Sequence, residues 1–194
     1  MKNLKSIALA FVVALSTVAV TAQTKKIDVS KSMINWVGKK VTGEHSGTVA
    51  LKHGVLLFKK SALTGGTFTV DMTSLNDTDL TGEYREKLNG HLKADDFFGT
   101  VKYPTSTLVF KTIAPKGSDT LKGNDVYTVT ADLTIKGKTN PVTFDLTVKG
   151  NTASTAFKVD RTKYDIKYGS GSFFEGLGDK TINDDFELTV NLKF

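Results

Sequence analysis

Four stretches of the chain alternate apolar and polar residues with a period of two. Phe68, Val70 and Met72 alternate with Thr67, Thr69, Asp71 and Thr73. Tyr127, Val129, Ala131, Leu133 and Ile135 alternate with Thr128, Thr130, Asp132 and Thr134. Val142, Phe144, Leu146 and Val148 alternate with Thr143, Asp145 and Thr147. Near the C-terminus, Ile182, Phe186, Leu188, Val190, Leu192 and Phe194 alternate with Asn183, Asp185, Glu187, Thr189, Asn191 and Lys193. Successive side chains of a strand point to opposite faces, so each run predicts a strand with one apolar and one polar face. Weaker signals predict strands around Ile34–Val37, Thr48–Leu51, Val55–Lys59, Thr107–Ile113 and Ala153–Val159. Threonine, a good strand former, fills the polar face. Eight or nine such strands predict antiparallel sheet with a solvated outer side. Strands of ten residues or so suit a barrel, and turn signals separate them at Gly65-Gly66, Lys116-Gly117-Ser118-Asp119, 137–141 and Gly150-Asn151.

Two stretches break the alternation. From Leu80 to Phe98 the spacing turns helical and predicts a short helix near residues 81–98. Thr81 is its cap, Tyr84 and Leu88 share a face, and Gly90 ends the turn. The adjacent Phe97 and Phe98 need burial, which a helix closing one end of a barrel provides. The run 169–178 is rich in glycine and carries Phe173 and Phe174. It reads either as a functional lid or as a loop packing its own phenylalanines on the barrel wall.

Composition narrows the picture. The chain has 194 residues, 39% hydrophobic and 24% charged, which is the balance of a globular protein. It has no cysteine, so disulfides, Cys-ligated zinc, iron–sulfur clusters and thiol catalysis are excluded. Residues 1–22 read as a secretory signal: Lys2 and Lys5 precede an uncharged apolar run, and Val20-Thr21-Ala22 carries small residues before a cut after Ala22. The apolar run is shorter than the roughly 20 residues of a membrane span. Residues 23–194 then form one domain, expected in the periplasm. Their lysines are scattered and no run of five or more like charges occurs, which argues against nucleic-acid binding.

Catalytic motifs are missing. There is no G-x-S-x-G elbow and no G-x-G-x-x-G after a strand. The three histidines, His45, His53 and His91, make no H-E-x-x-H or H-x-H pattern. His45 and His91 with Asp71 or Asp95 make only a weak metal signal, and the histidines read as structural. Asp95-Asp96 and Asp184-Asp185 read as solvated turn or capping acids. Asn76-Asp77-Thr78 fits the N-glycosylation pattern, which is frequent by chance. Arg161, one of only two arginines, lies at a strand end before Tyr164, Asp165 and Tyr168. Its guanidinium suits either a structural fork onto carbonyls or the polar head of a ligand.

Several pieces, in order, resemble the YceI-like family of polyisoprenoid-binding proteins. They are Trp36 with Lys39-Lys40, His45-Ser46-Gly47, Gly65-Gly66-Thr67-Phe68 leading to Asp71-Met72, the run 90–98, Tyr103-Pro104, the run 133–142, and 160–166. The resemblance implies an all-β fold: an extended eight-stranded antiparallel barrel, lipocalin-like, around a long lumen. A strand of ten to twelve residues, tilted by about 40°, gives a barrel roughly 25 Å tall. It implies an exported carrier or store for an isoprenoid quinone, polyprenol or fatty-acyl compound, with no catalytic residues and no cofactor besides that lipid. The expected lumen lining is Trp36, Phe58, Phe68, Val70, Phe97, Phe98, Leu108, Phe110, Phe144, Leu146, Phe157, Leu188 and Val190. Arg161, Tyr164 and Tyr168 are candidates for the head-group end, and Phe173 and Phe174 for a lid. The alternative is a ligand-free periplasmic interaction module that contacts a membrane or redox partner through Phe173 and Phe174. The reading admits transient membrane contact and either a monomer or a homodimer. Alternation alone does not separate a hollow lumen from a filled core.

Overall fold

The computed structural model describes residues 22–119 and 123–194, apart from the side chains of residues 118 and 119. The expected export signal lies outside the described residues except for Ala22. Nine strands form: β1 (Ala22–Lys26), β2 (Met33–Lys40), β3 (Gly43–Lys59), β4 (Ala62–Asp77), β5 (Thr105–Asp119), β6 (Asn124–Ile135), β7 (Lys138–Lys149), β8 (Thr152–Asp160) and β9 (Ile182–Lys193). One α-helix, α1 (Gly82–Lys93), joins β4 to β5. All strand pairings are antiparallel. β1 pairs with residues 55–59 of β3 and β2 with residues 43–49, so the two share one position in the wall. The β2–β9 and β3–β4 pairings complete the ring. The result is the expected closed eight-stranded barrel with one helix.

The two short strands expected at Thr48–Leu51 and Val55–Lys59 are one 17-residue strand, β3. The interruption in its pattern is a bulge. Leu51 pairs with Val70 and His53 with Thr69, which leaves Lys52 as an extra residue. An extra residue inverts the side-chain parity of everything beyond it. Val49 and Leu51 therefore face inward at odd positions, and Gly54, Leu56 and Phe58 at even ones. Two inward glycines make room for aromatic rings. A Cβ at Gly47 would sit 2.0 Å from the Asn76 carbonyl and 2.5 Å from the Trp36 ring; one at Gly66 would sit 2.6 Å from Phe110.

The helix departs from expectation in detail. It continues through Gly90 to Lys93, and Thr81 stands at the cap position without a capping side-chain hydrogen bond. Its buried face carries Leu88, Asn89 and Leu92, while Tyr84 points to solvent at 75% exposure. Asn89 fastens it to the barrel. Its Oδ1 accepts the Asp77 backbone N–H at 2.7 Å, and its Nδ2 donates to Asn76 at 3.0 Å. Beyond the helix the chain turns so that Phe97 is buried and Phe98 half-buried.

Candidate functional site: the barrel lumen

A cavity of about 170 Å³ occupies the lumen. Its wall is built from the inward positions of the strands, joined by Leu92 of α1 and by Phe97 and Phe98 beyond it. Four rings form a band around it, one each from β4, β5, β7 and β8. Phe68 lies 5.5 Å from Phe110, Phe110 lies 6.1 Å from Phe144, and Phe144 stacks on Phe157 at 4.7 Å. Phe98 meets Phe97 at 5.3 Å and Phe186 at 6.1 Å. Several inward residues remain half-buried, among them Val70, Leu108, Phe110, Phe157, Leu188 and Val190. Inward side chains of a filled core would be buried outright; these border open space.

The few polar groups in the wall are already engaged. The Ser106 hydroxyl donates to the Thr134 carbonyl at 2.7 Å and the Thr155 hydroxyl to the Asp145 carbonyl at 2.7 Å. The Trp36 indole N–H donates to the Thr48 carbonyl at 3.3 Å. With these donors directed into the backbone, the lumen presents almost only carbon. Such a surface recognises an apolar chain by excluding water and makes no directional demand on it.

Polarity returns at one rim, where β2 and β9 part company. Gly38 pairs with Phe186 and Lys40 with Ile182, a register shift that leaves Asn183–Asp185 unpaired with β2, while Asp185 still pairs with Asp160 of β8. Asn183 and Asp185 are exposed and border the cavity, so this irregular seam is its mouth. Nothing lies within 4 Å of where a Cβ on Gly38 would be, which keeps the seam open. Asn183 and Asp185 were expected only as the polar outer face of β9. The bulge, invisible in a regular alternation, brings them to the cavity.

Of the residues expected to line the lumen, the structure brings together Trp36, Phe68, Val70, Phe97, Phe98, Leu108, Phe110, Phe144, Leu146, Phe157, Leu188 and Val190. Arg161 also borders it, but its guanidinium is committed elsewhere. It is 2% exposed. Nε donates to the Asn183 carbonyl, Nη1 to the carbonyls of Ile166 and Tyr168, and Nη2 to that of Ile182, all at 2.8–3.0 Å. Asp184 lies 3.6 Å from Nη2. This is the structural fork of the two readings: Arg161 ties the segment after β8 to the start of β9.

Five expected residues are not in the cavity wall. Phe58 is buried against Phe194, at 5.8 Å, on the section of β3 beyond the bulge. Tyr164 is 1% exposed and lies in the packed core. Burial, with the Asp160 charge, pushes its hydroxyl pKa up to about 12. Tyr168 packs outside the lumen, edge-on to His91 at 4.4 Å. Phe173 and Phe174 are half exposed, at 49% and 51%, and neither borders the cavity. Residues the sequence reading left out include Ile34, Val49, Leu51, Met72, Leu133 and Leu192. Met72, Leu133 and Leu192 lie on the apolar face of alternating strands, at the same parity as their neighbours in the lining.

The weak metal signal of His45 and His91 with Asp71 or Asp95 is not assembled: His45 meets Asp77 and Asp79, and His91 lies edge-on to Phe97 and Tyr168.

Comparison with known proteins agrees with this architecture. Protein YceI of Escherichia coli is 31% identical over 86 residues, 40% of this chain and 41% of that protein; the chain thus aligns with about two fifths of that relative's length. The crystal structure of BcnA from Burkholderia cenocepacia superposes with a TM-score of 0.65 at 23% identity, covering 86% of this chain and 98% of that one. A polyisoprenoid binding domain from Saccharophagus degradans, implicated in plant cell wall breakdown, superposes with a TM-score of 0.58 at 16% identity, covering 86% of this chain and 95% of that one. These two likenesses are of fold. The family model for the YceI-like domain matches residues 25–194, from β1 through β9. That match covers most of the chain, and the chain belongs to the YceI-like domain family.

Proposed function

We propose that the protein is an exported carrier or store that holds the apolar chain of an amphipathic isoprenoid or other long-chain lipid in its lumen. It acts by binding and not by catalysis. The observation that carries this reading is the lumen wall: inward residues stop short of filling it, and its polar groups are turned into the backbone. A lipid tail gains about 0.8 kcal/mol per buried CH₂, and the exposed rim at Asn183 and Asp185 leaves a polar head in water. The fold likeness to a polyisoprenoid binding domain supports an isoprenoid as the ligand class. Export follows from the N-terminal signal pattern, with cleavage after Ala22. Native mass spectrometry of protein exported by its own host, followed by organic extraction, tests the reading. An equimolar isoprenoid or acyl lipid is expected. A lipid-free mass, with no uptake of added quinone or polyprenol, overturns it.

A second reading rests on Phe173 and Phe174. Two half-exposed adjacent rings outside the lumen suit a contact with a membrane or protein partner. Replacing both with Ser is then expected to weaken partner or vesicle association while lipid content is unchanged. Loss of lipid would make the loop a lid.

A further inference from the structure

The β4–α1 corner holds an arrangement of charge that the chain alone does not complete. Asp77, at the end of β4, is fully buried. Its Oδ1 accepts the Leu80 N–H at 2.8 Å. Its Oδ2 is buried and has no protein donor, and it faces the carboxylate of Asp79. Asp79 is held firmly: Oδ1 accepts the Ser46 N–H at 2.7 Å, and Oδ2 lies 3.0 Å from Nδ1 of His45. One donor atom from each of His45, Asp77 and Asp79 lies within 4.8 Å of the other two. Two carboxylates that face each other repel unless something positive lies between them. That something is a proton or a cation.

We infer that His45, Asp77 and Asp79 form a binding site for a divalent transition-metal cation of the zinc class. The imidazole decides the class. A hard ion such as Ca²⁺ or Mg²⁺ takes oxygen ligands, whereas one imidazole nitrogen with two carboxylates suits zinc or its first-row neighbours. Three protein donors leave at least one coordination position to solvent. The donors are already oriented by the backbone: Ser46 and Leu80 N–H groups fix the two carboxylates, and Asn89 holds the Asp77 backbone from α1. Second-shell bonds of this kind set ligand geometry. A bound cation fastens the start of β3 to the segment entering α1. The site stands apart from the lumen, so it is independent of the lipid reading.

Titration of the chelator-treated full-length mature protein with Zn²⁺ alone, followed by calorimetry and by the thermal midpoint, tests the assignment. One Zn²⁺ per chain, with a raised midpoint, is expected. His45→Gln, at a half-exposed position, is expected to keep the fold and lose affinity by roughly tenfold or more. Asp77→Asn keeps the shape of the buried side chain and is expected to lose affinity at least as strongly. Absence of zinc binding to the wild type overturns the proposal and leaves a shared proton as the bridge. So does zinc binding that both variants retain, and so does Ca²⁺ or Mg²⁺ binding as tightly as Zn²⁺.

Discussion

Arg161 shows how a residue whose type suggests recognition is used for architecture. Its donors meet four main-chain carbonyls from 166–168 and 182–183, a set that no other side chain can satisfy. Arg161→Met preserves bulk but takes the donors from those carbonyls, one contact being buried and three half-buried. Each such loss costs about 1–3 kcal/mol, so a total destabilisation of about 3 kcal/mol or more is expected in urea denaturation. Arg161→Lys is expected to recover only part of it, because one ammonium cannot span the fork. The neighbouring Asp184 adds a pH signature. Burial would raise its pKa, but the hydroxyls of Ser170 and Ser172 and the Arg161 charge outweigh burial and hold the carboxyl below its usual range. A folded pKa below the unfolded one stabilises above the unfolded value, about 4, and that stability is lost as pH falls through the folded pKa. Asp184→Asn is therefore expected to lower stability at pH 7 and to flatten the acid limb below about pH 4. An unaltered acid limb in the variant would remove Asp184 from the account.

The legibility of the elements followed the regularity of their alternation. β6 alternates without a break from Tyr127 to Ile135, and every inward residue of that run is buried as its parity requires. β3 looks like two strands in the sequence because Lys52 shifts the parity and the alternation resumes in the opposite phase. The mouth was hidden for the same reason, since Asn183 and Asp185 reach the cavity through a register shift between β2 and β9. Helical spacing puts Tyr84 and Leu88 on one face, yet Tyr84 points to solvent while the face that packs carries Leu88, Asn89 and Leu92. Asn89 in particular is a polar residue buried for its hydrogen bonds, which hydrophobic periodicity cannot find. The bulge yields a direct test. Deleting Lys52 turns Leu56 and Phe58 outward unless the bulge re-forms at another residue's expense. A loss of about 3 kcal/mol or more is expected, comparable with emptying a buried leucine site. Lys52→Ala, at an exposed position, is expected to change stability by no more than about 0.5 kcal/mol. Similar stability for the deletion and the wild type would show that β3 does not depend on this bulge for its register.

At the scale of the whole molecule, the question is how a barrel of this size accommodates a long chain. Cavities near 150 Å³ in other proteins hold a molecule the size of benzene, and the lumen here is about 170 Å³. On the proposed reading, a polyprenyl tail enters only as the phenylalanine rings move aside. The half-buried Phe110 and Phe157 are the ones with room to turn, whereas Phe144 is packed between them. Chain length preference thus resides in these rings, and Phe157→Ala is expected to shift binding toward longer tails. A carboxylate at the same place is different in kind, because ionised oxygen in a carbon-lined space has no partner. Phe157→Asp, at a half-buried position, is expected to keep the barrel fold by circular dichroism and to lose lipid uptake. The comparison is best read as a thermal midpoint. A ligand that binds only the folded state stabilises by about 2.7 kcal/mol at one hundred times its Kd, so added polyprenol should raise the wild-type midpoint and leave that of Phe157→Asp unmoved. An equal rise in both would place the bound lipid on the outer surface, with Phe173 and Phe174 as the next residues to replace.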